Sequence, residues 1–102
     1  MKFDIKKVKG IGEWDGEDTA SGMTYLVPEG KVFLIVRPNT LEVRCDEQLA
    51  KHLMEKYESV MQSRYFGKGG IEIVPSGQVT EEEIYDLVRL AYNLTRGEYE
   101  QS

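Results

Sequence analysis

The segment Val60–Leu94 constrains the fold of this 102-residue chain more than any other part of its sequence. It contains a glycine-rich turn with two aromatic residues, then a short apolar strand at Ile71–Val74, and then an amphipathic helix. Thr80 and Glu83 predict the start of that helix, because a capping-box hydroxyl and carboxylate satisfy unpaired amide groups reciprocally. Apolar residues at helical spacing form a stripe along it: Ile84, Leu87, Val88, Ala91 and Leu94.

The first half of the chain has the alternating pattern of a β-sheet. Residues 2–8 alternate charged and apolar side chains, and one extra residue at Lys6–Lys7, as in a β-bulge, keeps that alternation in phase. Met23–Val27 and Val32–Val36 are rich in β-branched residues, and the Pro-Glu-Gly-Lys turn between them predicts a hairpin. A further strand has an apolar face, formed by Leu41, Val43 and Cys45, and a solvent-exposed polar face, formed by Thr40, Glu42 and Arg44.

A helix and a loop complete the set of elements. Asp46 is a good N-cap for a helix that ends near Ser59. Its apolar positions follow helical spacing and are Leu49, Leu53, Met54 and Tyr57. The segment Gly10–Gly22 is glycine-rich and acidic and has no sustained periodicity, which predicts a loop. We expect Trp14 to anchor this loop on the core, the alternative being an exposed contact residue.

These elements predict a single α+β domain. Their order is β-β-β-β-α-β-α, with an antiparallel sheet of about five strands and two helices packed on it. The domain covers residues 1–97, because Gly97 is a plausible C-terminal stop for the last helix. Residues 98–102 then form a frayed tail.

Charge and cysteine content exclude several classes of protein. The net charge of -5 disfavours sequence-independent attraction to nucleic acid or anionic lipid, so any phosphate-binding surface must be locally basic. A lone cysteine, Cys45, excludes intrachain disulfides and a four-cysteine zinc site. No segment approaches the roughly 18 consecutive apolar residues of a membrane span. We therefore expect a cytoplasmic protein with no membrane partner.

Four segments, in this order, resemble the MmcQ/YjbR family of small bacterial domains: GKVFLIV, LEVRCDEQLAKHLMEKY, SRYFGKGGIEIVPSG and EEEIYDLVRLAYNL. The resemblance covers Gly30–Leu94 and rests on the order of the motifs, since no single motif is diagnostic. It implies an antiparallel sheet with helices packed on it, related to the fold of secretion chaperones and also described as a double wing. It also implies a proposed DNA-binding role.

Three departures from the family pattern bear on function. Family members usually begin with a helix, whereas this chain begins with the alternating residues 2–8. They often carry a His-Trp pair after a lysine, whereas Lys68 is followed here by two glycines. Their closing Ser-Tyr corresponds to Ala91 and Tyr92, so only Tyr92 carries over.

The glycine-rich turn is the first candidate site. Arg64 and Lys68 can neutralise phosphate, Tyr65 can stack on a base, and the glycines allow close approach of a ligand to the backbone. The spacing does not match a P-loop. The alternative is a structural turn whose aromatic residues complete the core.

The second candidate is an N-terminal group of lysines, Lys2, Lys6, Lys7 and Lys9. If their strand lies beside the strands that contain Arg37 and Arg44, the polar faces form a basic patch. The alternative is that lysines on an edge strand prevent aggregation, and both roles are compatible.

No residue pattern predicts catalysis, a metal or a cofactor. Acidic residues before Gly22 do not have EF-hand spacing, and a solvated loop explains them: Glu13, Asp15, Glu17 and Asp18. Glu81–Glu83 are explained by the positive end of the helix that they begin. Cys45 and His52 are the only nucleophile and base to consider, and the pattern predicts a buried thiol and a histidine on the helix surface.

Two hypotheses of function follow from the sequence. We expect a non-enzymatic binding module, with DNA as the partner that the family resemblance implies; its contacts are Lys2, Lys6, Lys7, Lys9, Arg64, Tyr65 and Lys68. The alternative is a protein-interaction or homodimerisation domain that uses the face or edge of its sheet.

Overall fold

The computed structural model describes residues 2–75 and 77–100. This part of the chain contains six antiparallel strands and two α-helices. The strands are β1 (Asp15–Thr19), β2 (Gly22–Leu26), β3 (Val32–Val36), β4 (Leu41–Arg44), β5 (Val60–Ser63) and β6 (Gly67–Ile73). The helices are α1 (Glu47–Lys56) and α2 (Glu81–Glu100). The sheet order is β1-β2-β3-β4-β6-β5. The α+β class is confirmed, with six strands in place of about five.

Both helices cover the same face of the sheet. α1 packs on β5 and β6, while α2 packs on β3 and β4. Their apolar side chains form one buried cluster with Leu41, Val43, Ile71 and Ile73 of the central strands. The opposite face, called here the open face, carries residues that are partners across four strands: Thr24, Ile35, Glu42 and Glu72. No helix among the described residues covers the open face.

Local capping fixes the start of each helix. The Asp46 carboxylate accepts hydrogen bonds from the amides of Gln48 and Leu49, at 3.1 and 3.2 Å, which confirms the predicted N-cap of α1. The Glu83 amide donates to the Thr80 hydroxyl at 3.1 Å, which confirms the Thr80 half of the predicted capping box. The Glu83 carboxylate accepts a hydrogen bond from the Tyr57 hydroxyl at 2.9 Å, so it also ties α2 to the end of α1.

The predicted N-terminal strand is wrong, because Ile5–Lys7 form a turn of 3-10 helix. Asp4 caps this turn by accepting a hydrogen bond from the Lys6 amide at 3.0 Å, a local bond that competes with an extended backbone. Residues three apart lie on the same side of a 3-10 helix, and Ile5 and Val8 are both buried. The bulge at Lys6–Lys7 is therefore also wrong.

Part of the predicted loop at Gly10–Gly22 is in fact a strand. β1 pairs with β2 in the register Asp15 to Leu26, yet all five of its residues are exposed. A strand exposed on both faces has no hydrophobic alternation, so its pattern could not be detected in the sequence. Trp14 packs edge-on against Tyr25, with ring centroids 5.3 Å apart, which confirms that it anchors this segment.

The glycine-rich segment after α1 also forms more strand than predicted. β5 was not predicted, and β6 begins at Gly67, four residues earlier than expected. α1 ends at Lys56, with Tyr57 as its C-cap, and not near Ser59. The turn between β5 and β6 is therefore reduced to Arg64–Phe66.

The predicted stop at Gly97 is also wrong. α2 continues through Gly97 to Glu100, so residues 98–100 of the predicted tail are helical. Residues 101 and 102 lie outside the described residues, as does Ser76 in the turn before α2.

Candidate functional site

Two buried carboxylates lie at the centre of the open face. Glu42 of β4 and Glu72 of β6 are direct partners in the sheet. Glu42 is fully buried and Glu72 is 5% exposed, although no described helix covers them. The alternating pattern of β4 predicts that Glu42 belongs to a solvent-exposed polar face. This prediction is wrong, because neighbouring polar groups enclose Glu42.

Glu42 accepts hydrogen bonds from three donors. One carboxylate oxygen accepts from the Ser63 hydroxyl at 2.6 Å and from the Tyr65 amide at 2.9 Å, and the other accepts from Arg37 Nε. Burial alone would raise the pKa of Glu42, but the bonds from Ser63, Tyr65 and Arg37 together outweigh burial and hold this pKa below its ordinary value. The side chain is therefore a buried anion with its charge balanced.

Glu72 is held by an arginine fork. Arg64 donates from Nε at 3.0 Å and from Nη2 at 2.8 Å to the two carboxylate oxygens, and the Thr40 hydroxyl adds a bond of 2.8 Å. The bond from Arg64 is the main cause that lowers the pKa of Glu72. Arg64, which the sequence made a phosphate contact, thus already binds a carboxylate within the protein.

This network folds the Arg64–Phe66 turn across the open face. Ser63 belongs to β5 and Glu42 to β4, and β6 lies between these two strands, so the hydrogen bond between them crosses over β6. The crossing passes Gly70, where an added Cβ would lie 2.6 Å from the Cβ of Phe66. Tyr65 remains 52% exposed on the outside of the turn and lies edge-on to Phe66. The buried carboxylates therefore position an exposed aromatic ring.

The two carboxylates also make stability depend on pH. Because folding lowers both pKa values, their contribution is fully present above the ordinary glutamate value of 4.5 and is lost as pH falls through the lower folded values. We expect Glu72→Gln to flatten the fall in the free energy of unfolding below about pH 4.5, measured by urea denaturation from pH 7 to pH 3. Glu55→Gln, on the exposed face of α1, is the matched control. An unchanged acid slope in Glu72→Gln would contradict the ion pair.

Most of the residues predicted to bind nucleic acid line several different grooves. Lys7 and Lys9 line a groove of about 330 Å³ beside α2, and Lys2 lines another beside Arg37. Lys68 lines a groove next to α1. Lys6 is exposed on the N-terminal 3-10 turn. Arg64 and Tyr65 belong to the turn on the open face. Of the predicted basic patch, Lys2 lines a groove with Arg37, whereas Arg44 lines a different groove next to Cys45.

The remaining candidates have structural surroundings. Cys45 is buried, and burial, followed by the charge of Asp46, raises the pKa of its thiol to about 11. His52 is exposed on α1, so both sequence predictions for this pair are confirmed. Across the described residues, no group of three or more histidine, cysteine or acidic side chains is placed to hold a metal ion.

Comparison with known proteins gives the family. A family model described as YjbR matches residues 13–94. The matched region includes all six strands, α1, both glutamates of the open face and most of α2. The chain belongs to the YjbR family. The predicted MmcQ/YjbR resemblance is thereby confirmed, and the matched region begins after the four N-terminal lysines of this YjbR protein. No curated protein and no solved structure is significantly similar to the chain.

The tyrosine that carries over from the family motif lies in the core of this YjbR protein. Tyr92 is 4% exposed and packs edge-on against Phe33, with ring centroids 5.2 Å apart. Its hydroxyl donates to the carbonyl oxygen of Glu13 at 2.8 Å, which ties α2 to the segment before β1. Its contacts here are therefore those of a structural residue. None of the described helices has the length and hydrophobicity needed to cross a membrane.

Proposed function

We propose that this YjbR-family protein is a non-enzymatic binding module that contacts the phosphates of DNA through its N-terminal lysines. One observation carries the proposal. Four exposed lysines, Lys2, Lys6, Lys7 and Lys9, lie within eight residues, and none of their side-chain ammonium groups has a hydrogen bond or ion pair with another described residue. Most arginines are paired: Arg37, Arg64, Arg89 and Arg96 each contact a glutamate or aspartate.

The N-terminal segment holds its lysines in defined positions. Ile5 and Val8 are buried in the core, and Phe3 stacks on Tyr85 of α2 with ring centroids 5.2 Å apart. Lys6 and Lys7 therefore project from a fixed turn, which lowers the entropy lost when they bind a phosphate. This supports a binding role over that of a flexible, solubilising tail.

The surrounding charges predict weak and salt-sensitive binding. The groove lined by Lys7 and Lys9 also contains Arg89, Glu82 and Asp86. Asp86 is 3.1 Å from Arg89, so this acid is already partly neutralised. A net charge of -5 still opposes long-range attraction to DNA. Because the YjbR match begins at residue 13, the proposal rests on the geometry of this chain and not on the matched region.

We expect duplex DNA to bind at low salt and to dissociate as salt rises. If four lysines each neutralise one phosphate, a log-log plot of the association constant against salt has a slope of about -3.6, or a loss of roughly 100-fold between 50 and 200 mM. Replacing Lys6, Lys7 and Lys9 with glutamine should reduce the size of that slope by about 2.7. Fluorescence anisotropy with a labelled 20-base-pair duplex measures both slopes.

The control variant removes three other exposed lysines, Lys31, Lys51 and Lys56, and so makes the same change in net charge. It should keep most of the wild-type slope, because these residues lie in the β2–β3 turn and on α1. Equal losses in the two variants would mean that net charge alone governs binding. No detectable binding by the wild type at 50 mM salt would reject the proposal.

A further inference from the structure

The two edges of the sheet are protected differently. β1 forms one edge, and its five exposed residues include Asp15, Glu17 and Asp18. Charged side chains on an edge strand discourage pairing with another chain. β5 forms the other edge, and its sequence, Val-Met-Gln-Ser, contains no charge. The β5 edge therefore lacks the protection that the β1 edge has.

Hydrogen-bond alternation shows which groups of β5 point outwards. The Ser59 carbonyl accepts from the Val74 amide at 3.0 Å, so these two residues form a hydrogen-bonded pair. Such pairs alternate along antiparallel strands, which places Met61 in the next bonded pair and directs the main chain of Gln62 away from β6. The outward Val60 amide already donates to the Tyr57 carbonyl. The Val60 carbonyl and both main-chain groups of Gln62 can thus pair with a further strand.

The surroundings of this edge provide contacts for an added strand. On the helix side, a groove of about 110 Å³ is lined by Ala50 and Met54 of α1 and by Gln62. On the open face, Met61 is 45% exposed and Tyr65 is 52% exposed. Alternate side chains of an extended segment would therefore meet apolar surface on both faces.

The charge of the groove indicates the partner. Its charged residues are Lys51, Lys68 and Glu47. Lys51 lies 3.7 Å from Glu47, an exposed and weak pair, while Lys68 has no ion pair with any other described residue. Two lysines against one glutamate leave the groove positive and favour an acidic partner.

We propose that the β5 edge binds an extended, acidic segment of another protein, which adds to the sheet as a seventh strand. This surface lies at the α1 side of the sheet, whereas Lys7 and Lys9 lie beside α2. The two proposals can therefore fail separately.

The test uses a pool of octapeptides. Each peptide has glutamate at both ends, and its inner positions combine variable residues with valine and threonine in alternation. We expect 1 mM of the pool to slow hydrogen exchange of the Gln62 amide about tenfold or more, measured by NMR on the whole protein. Gln62→Pro should abolish peptide binding because it removes the amide donor. The fold should survive, because an edge strand tolerates proline where the amide faces solvent. Gln62→Ala keeps the donor and should bind normally.

The charge requirement has its own variant and control. The double variant Lys51→Gln/Lys68→Gln should weaken peptide binding about threefold to tenfold, as expected for the loss of exposed charge pairs. This result tests the proposal even if Gln62→Pro does not fold. A pool with lysine at both ends should bind more weakly than the acidic pool. Unchanged exchange at Gln62, equal binding of both pools, or a concentration-dependent dimer that protects Gln62 without peptide would each overturn the proposal.

Discussion

Replacing Glu42 with alanine is expected to lower the free energy of unfolding by about 3–5 kcal/mol, the usual cost of removing one partner from a buried ion pair. The loss has two causes. Alanine leaves a cavity at a fully buried position, and it leaves the Ser63 hydroxyl, the Tyr65 amide and Arg37 without their acceptor. Urea denaturation at pH 7 measures the loss.

Two further variants separate the network from ordinary loss of a carboxylate. Glu17→Ala removes an exposed acid on β1 and should change stability by less than about 0.5 kcal/mol. Glu42→Gln keeps the shape and one acceptor oxygen but loses the charge, so its cost should lie between the other two. Glu42→Ala should also speed hydrogen exchange at the Tyr65 amide more than at Ile71, because the turn loses its anchor first. A stable Glu42→Ala protein with an ordered turn would contradict the role assigned to this carboxylate.

Helix starts could be predicted from the sequence because their signals are local. Asp46 and Thr80 each act on amides two or three residues away, and both caps are confirmed. The end of α2 could not be predicted in the same way. Gly97 is compatible with a left-handed stop, but it is also tolerated inside a helix, and here α2 continues through it.

The open face could not be predicted because its contacts are non-local. Glu42 and Glu72 become neighbours only when β4 pairs with β6, across an intervening helix and strand. An alternating strand pattern assigns a glutamate to the solvent-exposed face. Nothing within β4 itself indicates that Arg37 and the Arg64–Phe66 turn enclose this glutamate. The one available signal is the position of Arg64, which lies eight residues before Glu72 in the turn of the β5–β6 hairpin. Without the hairpin, the sequence indicates only that this arginine is a possible phosphate contact.

The contacts of each basic residue distinguish structural from available charges in this YjbR protein. Arg64 is basic like the N-terminal lysines, yet its two hydrogen bonds to Glu72 make it part of the structure that holds Tyr65 in place. Among the described residues, lysines whose side chains have no ion-pair partner line grooves beside α2 (Lys7 and Lys9), beside Arg37 (Lys2) and beside α1 (Lys68). The two binding surfaces proposed above therefore involve different lysines, and each is tested by its own variants.

Replacing Gly70 with alanine is expected to cost about 3 kcal/mol, the upper end of the usual range for an extra methyl group in a packed site. The added Cβ would lie 2.6 Å from the Cβ of Phe66 and 2.8 Å from its Cδ2. Because one of these atoms is a Cβ, rotating the ring cannot relieve the overlap, and the backbone of the turn must move away from Glu42. Gly69→Ala is the matched control, since its Cβ would meet only the Phe66 carbonyl oxygen at an ordinary 3.5 Å. Urea denaturation compares the two variants, and NMR should show displaced signals for Tyr65 in Gly70→Ala alone. Equal stability of the two variants would mean that the turn does not cross β6 as closely as Ser63, Phe66 and Glu42 require.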